Sequence, residues 1–125
     1  MSESPTTPDL DLSFLYEIAD GSNEFVIESI DMLLQQAPES LRDIENSIKA
    51  QDWPAAAAAS HKLKPTTGFF GMLISQELLQ EIELLCKAGG QQPADISAKF
   101  YQAKEIIDNN IQSLIRIKAE KTAGL

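Results

Sequence analysis

Ile96, Phe100, Ala103, Ile107, Ile111 and Leu114 recur at spacings of three and four, which draws one apolar stripe along a helix. A helix with a single stripe is stable only when that stripe is covered, so it commits the chain to packing helix against helix. Similar stripes recur upstream. Leu12, Leu15 and Ile18 mark a short helix from about Leu10 to Ala19. Phe25, Ile30, Leu33 and Leu34 mark a second, and Leu41, Ile44 and Ile48 continue it beyond an expected break or kink at Pro38. Leu78, Leu79, Ile82 and Leu85 mark another, from about Ser75 to Lys87. No convincing strand and no internal repeat appears. The expected fold is all-α: an antiparallel four-helix bundle with an additional short N-terminal helix.

Punctuation residues divide these stripes. Asp20-Gly21-Ser22 breaks the first pair, with Ser22 as a candidate cap. Asp52 is placed to cap a helix that begins at Trp53-Pro54. Gly89-Gly90 and Pro93 define a loop before the last helix. Residues 1–8, polar with Pro5 and Pro8, are expected to be a disordered lead-in, 9–119 the folded domain, and 120–125 a frayed tail.

The chain has 125 residues and a formal charge of −9, which suits one domain and argues against nucleic acid and anionic membrane surfaces as partners. A single cysteine, Cys86, has no partner for an internal disulfide. The N-terminus lacks the basic and apolar regions of a signal peptide, and no run approaches the roughly 20 apolar residues of a membrane helix. A cytoplasmic location is expected. One His and one Cys do not make a metal centre, and there is no Gly-rich phosphate loop for ATP.

The only histidine, His61, lies in SHKLKPTTGFFGM. On a helical wheel at about 100° per residue, Leu63, Phe70 and Ile74 share an apolar face, and His61 points about 160° from Leu63. Within about 60° of His61 lie Pro54, Ala57, Ala58, Lys64, Pro65, Gly68 and Met72. Most of these are small or compact, which leaves a bare face for another protein to approach. Lys64, one turn on, is placed to meet an anion held at the ring. Between Lys49 and Lys87 the only basic residues are Lys62 and Lys64, a positive spot on an acidic body. Imidazole is substantially unprotonated at neutral pH, so an exposed His beside a lysine suits a phosphate nucleophile.

The segment resembles the histidine-containing phosphotransfer (HPt) domains of two-component phosphorelays, whose motif reads roughly H-x-L-K-G, with a Gly ten residues after the His. His61, Leu63, Lys64 and Gly71 stand in those places, with Asp52-Trp53 before them and the acidic Glu83 in the next helix. The resemblance spans about residues 10 to 118. One position departs: Pro65 stands where the family has Gly, and it removes the N–H that would bond the His61 carbonyl, so a kink is expected.

The resemblance implies a phosphocarrier rather than an enzyme. His61 would accept a phosphoryl group from a receiver-domain aspartate, on the ring nitrogen distal to the backbone, and pass it to another receiver. Lys64 would stabilise its charge, and Glu83 would support the site from the neighbouring helix. Pro54, Ala57, Ala58, Pro65, Gly68 and Met72 would form the docking face. The partners implied are receiver domains of response regulators or hybrid histidine kinases. The chain would act as a monomer and hold no metal, with Mg²⁺ supplied by the receiver. A histidine-kinase dimerisation helix fits less well, because Lys62 replaces the acid of H-E-x-x-x-P and the proline comes one place early. The remaining alternative is a non-catalytic helical module that docks receiver domains.

Overall fold

The structure, a computed structural model, describes residues 6–7 and 9–125. Five helices follow a minimal strand pair: β1 Thr6–Thr7, β2 Leu10–Asp11, α1 Ser13–Ala19, α2 Asn23–Lys49, α3 Trp53–Phe69, α4 Leu73–Lys87 and α5 Pro93–Ala123. Helices α2 to α5 form the bundle, each packed on two neighbours in the cycle α2–α3–α4–α5, and α1 rests on α2. Their apolar stripes meet in one core in which Ile30, Leu33, Ile44, Leu63, Phe70, Leu79, Ile82, Ile96, Phe100 and Leu114 are buried. Removing a side chain of this size from water contributes about 1.5–3 kcal/mol, so the stripes hold the bundle together.

Several boundaries differ from the sequence expectation. Most of the lead-in expected at 1–8 lies outside the described residues; Thr6–Thr7 pairs antiparallel with Leu10–Asp11, Thr6 opposite Asp11. Helix α2 runs without interruption through Pro38. Proline deletes one backbone hydrogen bond, but Ala37 and Leu41 on either side are buried in the core and keep the helix in register. Helix α5 continues to Ala123, past the tail boundary expected at 119.

The α3–α4 turn sets the register of the site. Gly71 has φ +67°, and a Cβ there would meet the Asp11 backbone. The Asp11 N–H donates to the Phe70 carbonyl at 3.2 Å, so the N-terminal segment is fastened to the turn. Only glycine combines that left-handed conformation with so close an approach. The wheel drawn through His61 therefore ends at Phe69. Met72, expected on the open face, is fully buried, while Ile74, expected in the core, is exposed.

Asp9 completes this corner. Its buried carboxylate accepts from the Ile74 N–H, from the Ser75 N–H at 3.3 Å and from the Ser75 hydroxyl at 2.6 Å. Asn110 of α5 donates to it at 3.0 Å. The side chain of Met72, the residue that precedes α4, makes no capping bond, and Asp9 supplies the cap from a distant part of the chain.

Candidate functional site

Helix α3 is fixed at its start in three ways. The Asp52 carboxylate accepts from the Ala55 N–H at 3.2 Å, and Pro54 lies in the first turn, where no N–H is needed. The Trp53 ring lies against the backbone of Gly90, which has φ +66°, so it pins the α4–α5 loop. Two turns further, His61 stands outward with 67% of its side chain exposed.

Across the α3–α4 pair, Glu83 is 3% exposed and faces His61. Its Oε2 lies 3.0 Å from His61 Nδ1 and 2.8 Å from Lys87 Nζ. Its Oε1 lies 2.7 Å from Lys64 Nζ. The same Lys64 ammonium, with three N–H donors, also donates to Gln80 Oε1. Burial pushes the Glu83 carboxyl upward, but the ammonium groups of Lys64 and Lys87 outweigh it and hold it at about 2. It is therefore a carboxylate at any physiological pH. A carboxylate only accepts, so in the neutral ring Nδ1 carries the hydrogen and Nε2 keeps its lone pair.

Two hollows flank the imidazole. One, of about 660 Å³, is largely apolar and lies between His61 and Trp53, Pro54, Ala57, Ala58, Cys86, Lys87 and Gly89. The other, of about 550 Å³, is lined by His61, Lys64, Pro65, Leu73, Gln76, Glu77 and Gln80. The ring forms the ridge between them.

The structure thus brings His61, Lys64 and Glu83 together and sets Pro54, Ala58 and Pro65 around them. Three residues expected on the bare face behave otherwise. Ala57 is buried in the core cluster and reaches only the floor of the apolar hollow. Met72 belongs to the core. Gly68 is overlaid by the Gln76 side chain, which a Cβ at 68 would strike, so its clearance serves the α3–α4 contact. The lysine pair also divides: Lys62 lines a separate groove on α2 with Gln36 and Glu39. Helix α3 passes through Pro65 unbroken. Cys86 is buried at the edge of the apolar hollow, and burial raises its thiol. Sequence reasoning missed Lys87 and Gln80. The signal for Lys87 was its spacing of four from Glu83, the separation at which an acid and a base meet on a helix.

The family model for the Hpt domain matches residues 28–115, a span that contains His61, Lys64, Glu83 and Lys87. The chain belongs to the Hpt domain family. Modules of this family are phosphocarrier intermediates of histidine phosphotransfer in two-component phosphorelays, and they interact with receiver and histidine-kinase domains. The chain is 30% identical over 86 residues to the phosphorelay intermediate protein rdeA of Dictyostelium discoideum, a match covering 68% of this chain and 34% of that protein. It therefore spans about a third of the length of that curated relative. Its fold is similar to the HPT domain of an Hpt sensor hybrid histidine kinase from Shewanella, with a TM-score of 0.62 at 20% identity over 94% of this chain and 93% of that one. Within the Hpt fold seen here, no helix among the described residues is long and apolar enough to cross a membrane.

Proposed function

We propose that this chain relays a phosphoryl group between receiver-domain aspartates, with His61 Nε2 as the carrier atom. The observation that supports this most is the His61 Nδ1 to Glu83 Oε2 contact of 3.0 Å on a ring that is 67% exposed. It directs the lone pair to Nε2 and leaves the ring open to a partner.

In the reaction, the Nε2 lone pair forms an N–P bond as the acyl phosphate P–O bond breaks and the aspartate carboxylate leaves. The ring then carries a positive charge with Nδ1 still protonated, and Glu83 is already in place to stabilise it. Lys64 is one turn away, and its ammonium neutralises the group in transit. Such a site needs little more than position and charge. Docking of a receiver over Pro54, Ala58 and Pro65 would bring the acyl phosphate to the ring, and the receiver would bring the Mg²⁺. The chain would act as a monomer and without an ATP site of its own, in the cytoplasm.

The test is transfer from a phosphorylated receiver domain. Wild-type chain should gain an acid-labile, base-stable label, and His61→Gln should gain none while keeping its helical content. A labelled His61→Gln variant would put the acceptor elsewhere. An unlabelled wild-type chain that still binds the receiver would make it a docking module without chemistry.

A further inference from the structure

Glu83 Oε2 receives two donors at once, His61 Nδ1 at 3.0 Å and Lys87 Nζ at 2.8 Å. Lys87 is 61% exposed and sits in the last turn of α4, at the rim of the apolar hollow beside His61. It has no part in the carrier chemistry described above, yet it shares the oxygen that sets the state of the ring.

A buried carboxylate touching an imidazole has two effects. It fixes the Nδ1–H tautomer, and it draws a second proton onto the ring, because the imidazolium would be paired. A ring protonated at Nε2 has no lone pair for attack. A cation on the same oxygen opposes the second effect and holds the carboxylate where the first one needs it. The charged groups around the ring fit this role. On α3, Lys64 faces Glu83, whereas Lys62 is turned into the α2 groove with Glu39. On α4 the charged residues lining the two hollows are Glu83, Lys87 and Glu77. Neither α2 nor α5 contributes a residue to those hollows.

We propose that Lys87 is a positioning residue for phosphotransfer at His61: it holds the shared Glu83 oxygen on Nδ1 and tempers its charge, so that the ring stays neutral and nucleophilic. The proposal rests on His61 being the acceptor. It deepens that reading by assigning a task to a lysine outside the motif. The depressed Glu83 carboxyl agrees with it, since two ammonium groups keep that buried group ionised.

Phosphoramidate tests the site without a receiver, because Nε2 attack forms the N–P bond and releases ammonia. Initial rates of phosphohistidine formation would be measured from about pH 5 to about pH 9, the range that brackets imidazole titration. Wild type would be compared with Lys87→Gln, which keeps most of the aliphatic stem, Lys87→Arg and His61→Gln. The reagent's own titration is common to all. In Lys87→Gln the rising limb should move up by about half a pH unit, roughly a threefold loss below neutrality that closes at high pH. Lys87→Arg should restore the wild-type profile. A Lys87→Gln profile that is unshifted, or lowered by the same factor at every pH, would overturn the proposal and leave Lys87 a helix-end lysine. So would a shift that Lys87→Arg fails to reverse. Labelling of His61→Gln would sink the acceptor reading instead, independently of Lys87.

Discussion

Two carboxylates in this molecule are almost equally buried, Asp9 at 6% and Glu83 at 3%, and they serve opposite ends. Asp9 is surrounded by neutral donors: two N–H groups at the start of α4, the Ser75 hydroxyl and the Asn110 amide. Glu83 is surrounded by two ammonium groups and an imidazole that is open to solvent. The neutral donors satisfy Asp9 fully, point inward and join the N-terminal segment to α4 and α5. The charged donors leave Glu83 coupled to a ring that can change its charge. Burial of an acid does not by itself mark a functional site. The two sites differ in whether the partners of the acid carry charge and reach solvent.

Breaking the two carboxylates in turn should separate stability from transfer. The largest effect is expected for Asp9→Ala, which strands the N–H groups of Ile74 and Ser75 and leaves the Asn110 amide only the Asp9 carbonyl. Loss of several bonds to a charged acceptor should cost about 3 kcal/mol, on the order of a hundredfold in the folding equilibrium. Denaturant unfolding would show it, while phosphoryl acceptance per folded molecule should stay near wild type. A stable Asp9→Ala with impaired acceptance would reverse the assignment of the two regions.

Lys64→Ala should do the converse. Transfer from a phospho-receiver should slow by roughly ten- to a hundredfold, within or below the range for losing one stabilising donor at a reacting group. The melting temperature should fall by less than in Asp9→Ala, because Lys87 still pairs Glu83 Oε2 although Oε1 loses its cation. An unchanged rate would make Lys64 an ordinary lysine on α3.

Acid titration sharpens the comparison further. Glu83 is held at about 2 against an ordinary 4.5, so its ion pairs contribute fully above about pH 4.5 and are lost as pH falls from there towards 2. Glu83→Gln should remove that portion of the acid destabilisation. Circular dichroism across this window would detect an unaltered slope, which would contradict the depressed carboxyl.

The smallest effect should come from Pro65→Gly, which restores the residue usual for the family at an exposed position. It adds an N–H for the His61 carbonyl, at a helix cost lower than that of proline. Relative rates among several receivers should shift; equal changes for all of them would leave Pro65 a purely structural role.

How far the sequence carried this account differs between the same two regions. The helix stripes, the Ser22 and Asp52 caps and the pairing of His61 with Lys64 were legible, because each rests on spacing within a helix, and Glu83 joined them through the resemblance to the HPt family. The Asp9 corner was not, since its partners lie 65 and 101 residues away and no local pattern links them. Met72 and Ile74 exchanged places because one left-handed residue, Gly71, resets the phase that a wheel assumes to be continuous. The continuity of α2 through Pro38 reflects core packing that outweighs a local breaker. Lys87 lay within reach of spacing arguments, but its link to His61 passes through a shared oxygen that only the folded hairpin creates.

The most direct test of the central claim is the position of phosphorus on the ring. The chain has one histidine, so the imidazole ¹⁵N spectrum of the phosphorylated protein reports a single side chain. After treatment with phosphoramidate, ³¹P–¹⁵N coupling should appear at Nε2, with Nδ1 still protonated and bonded to Glu83. Phosphorus on Nδ1, or on any atom outside the His61 ring, would contradict the account.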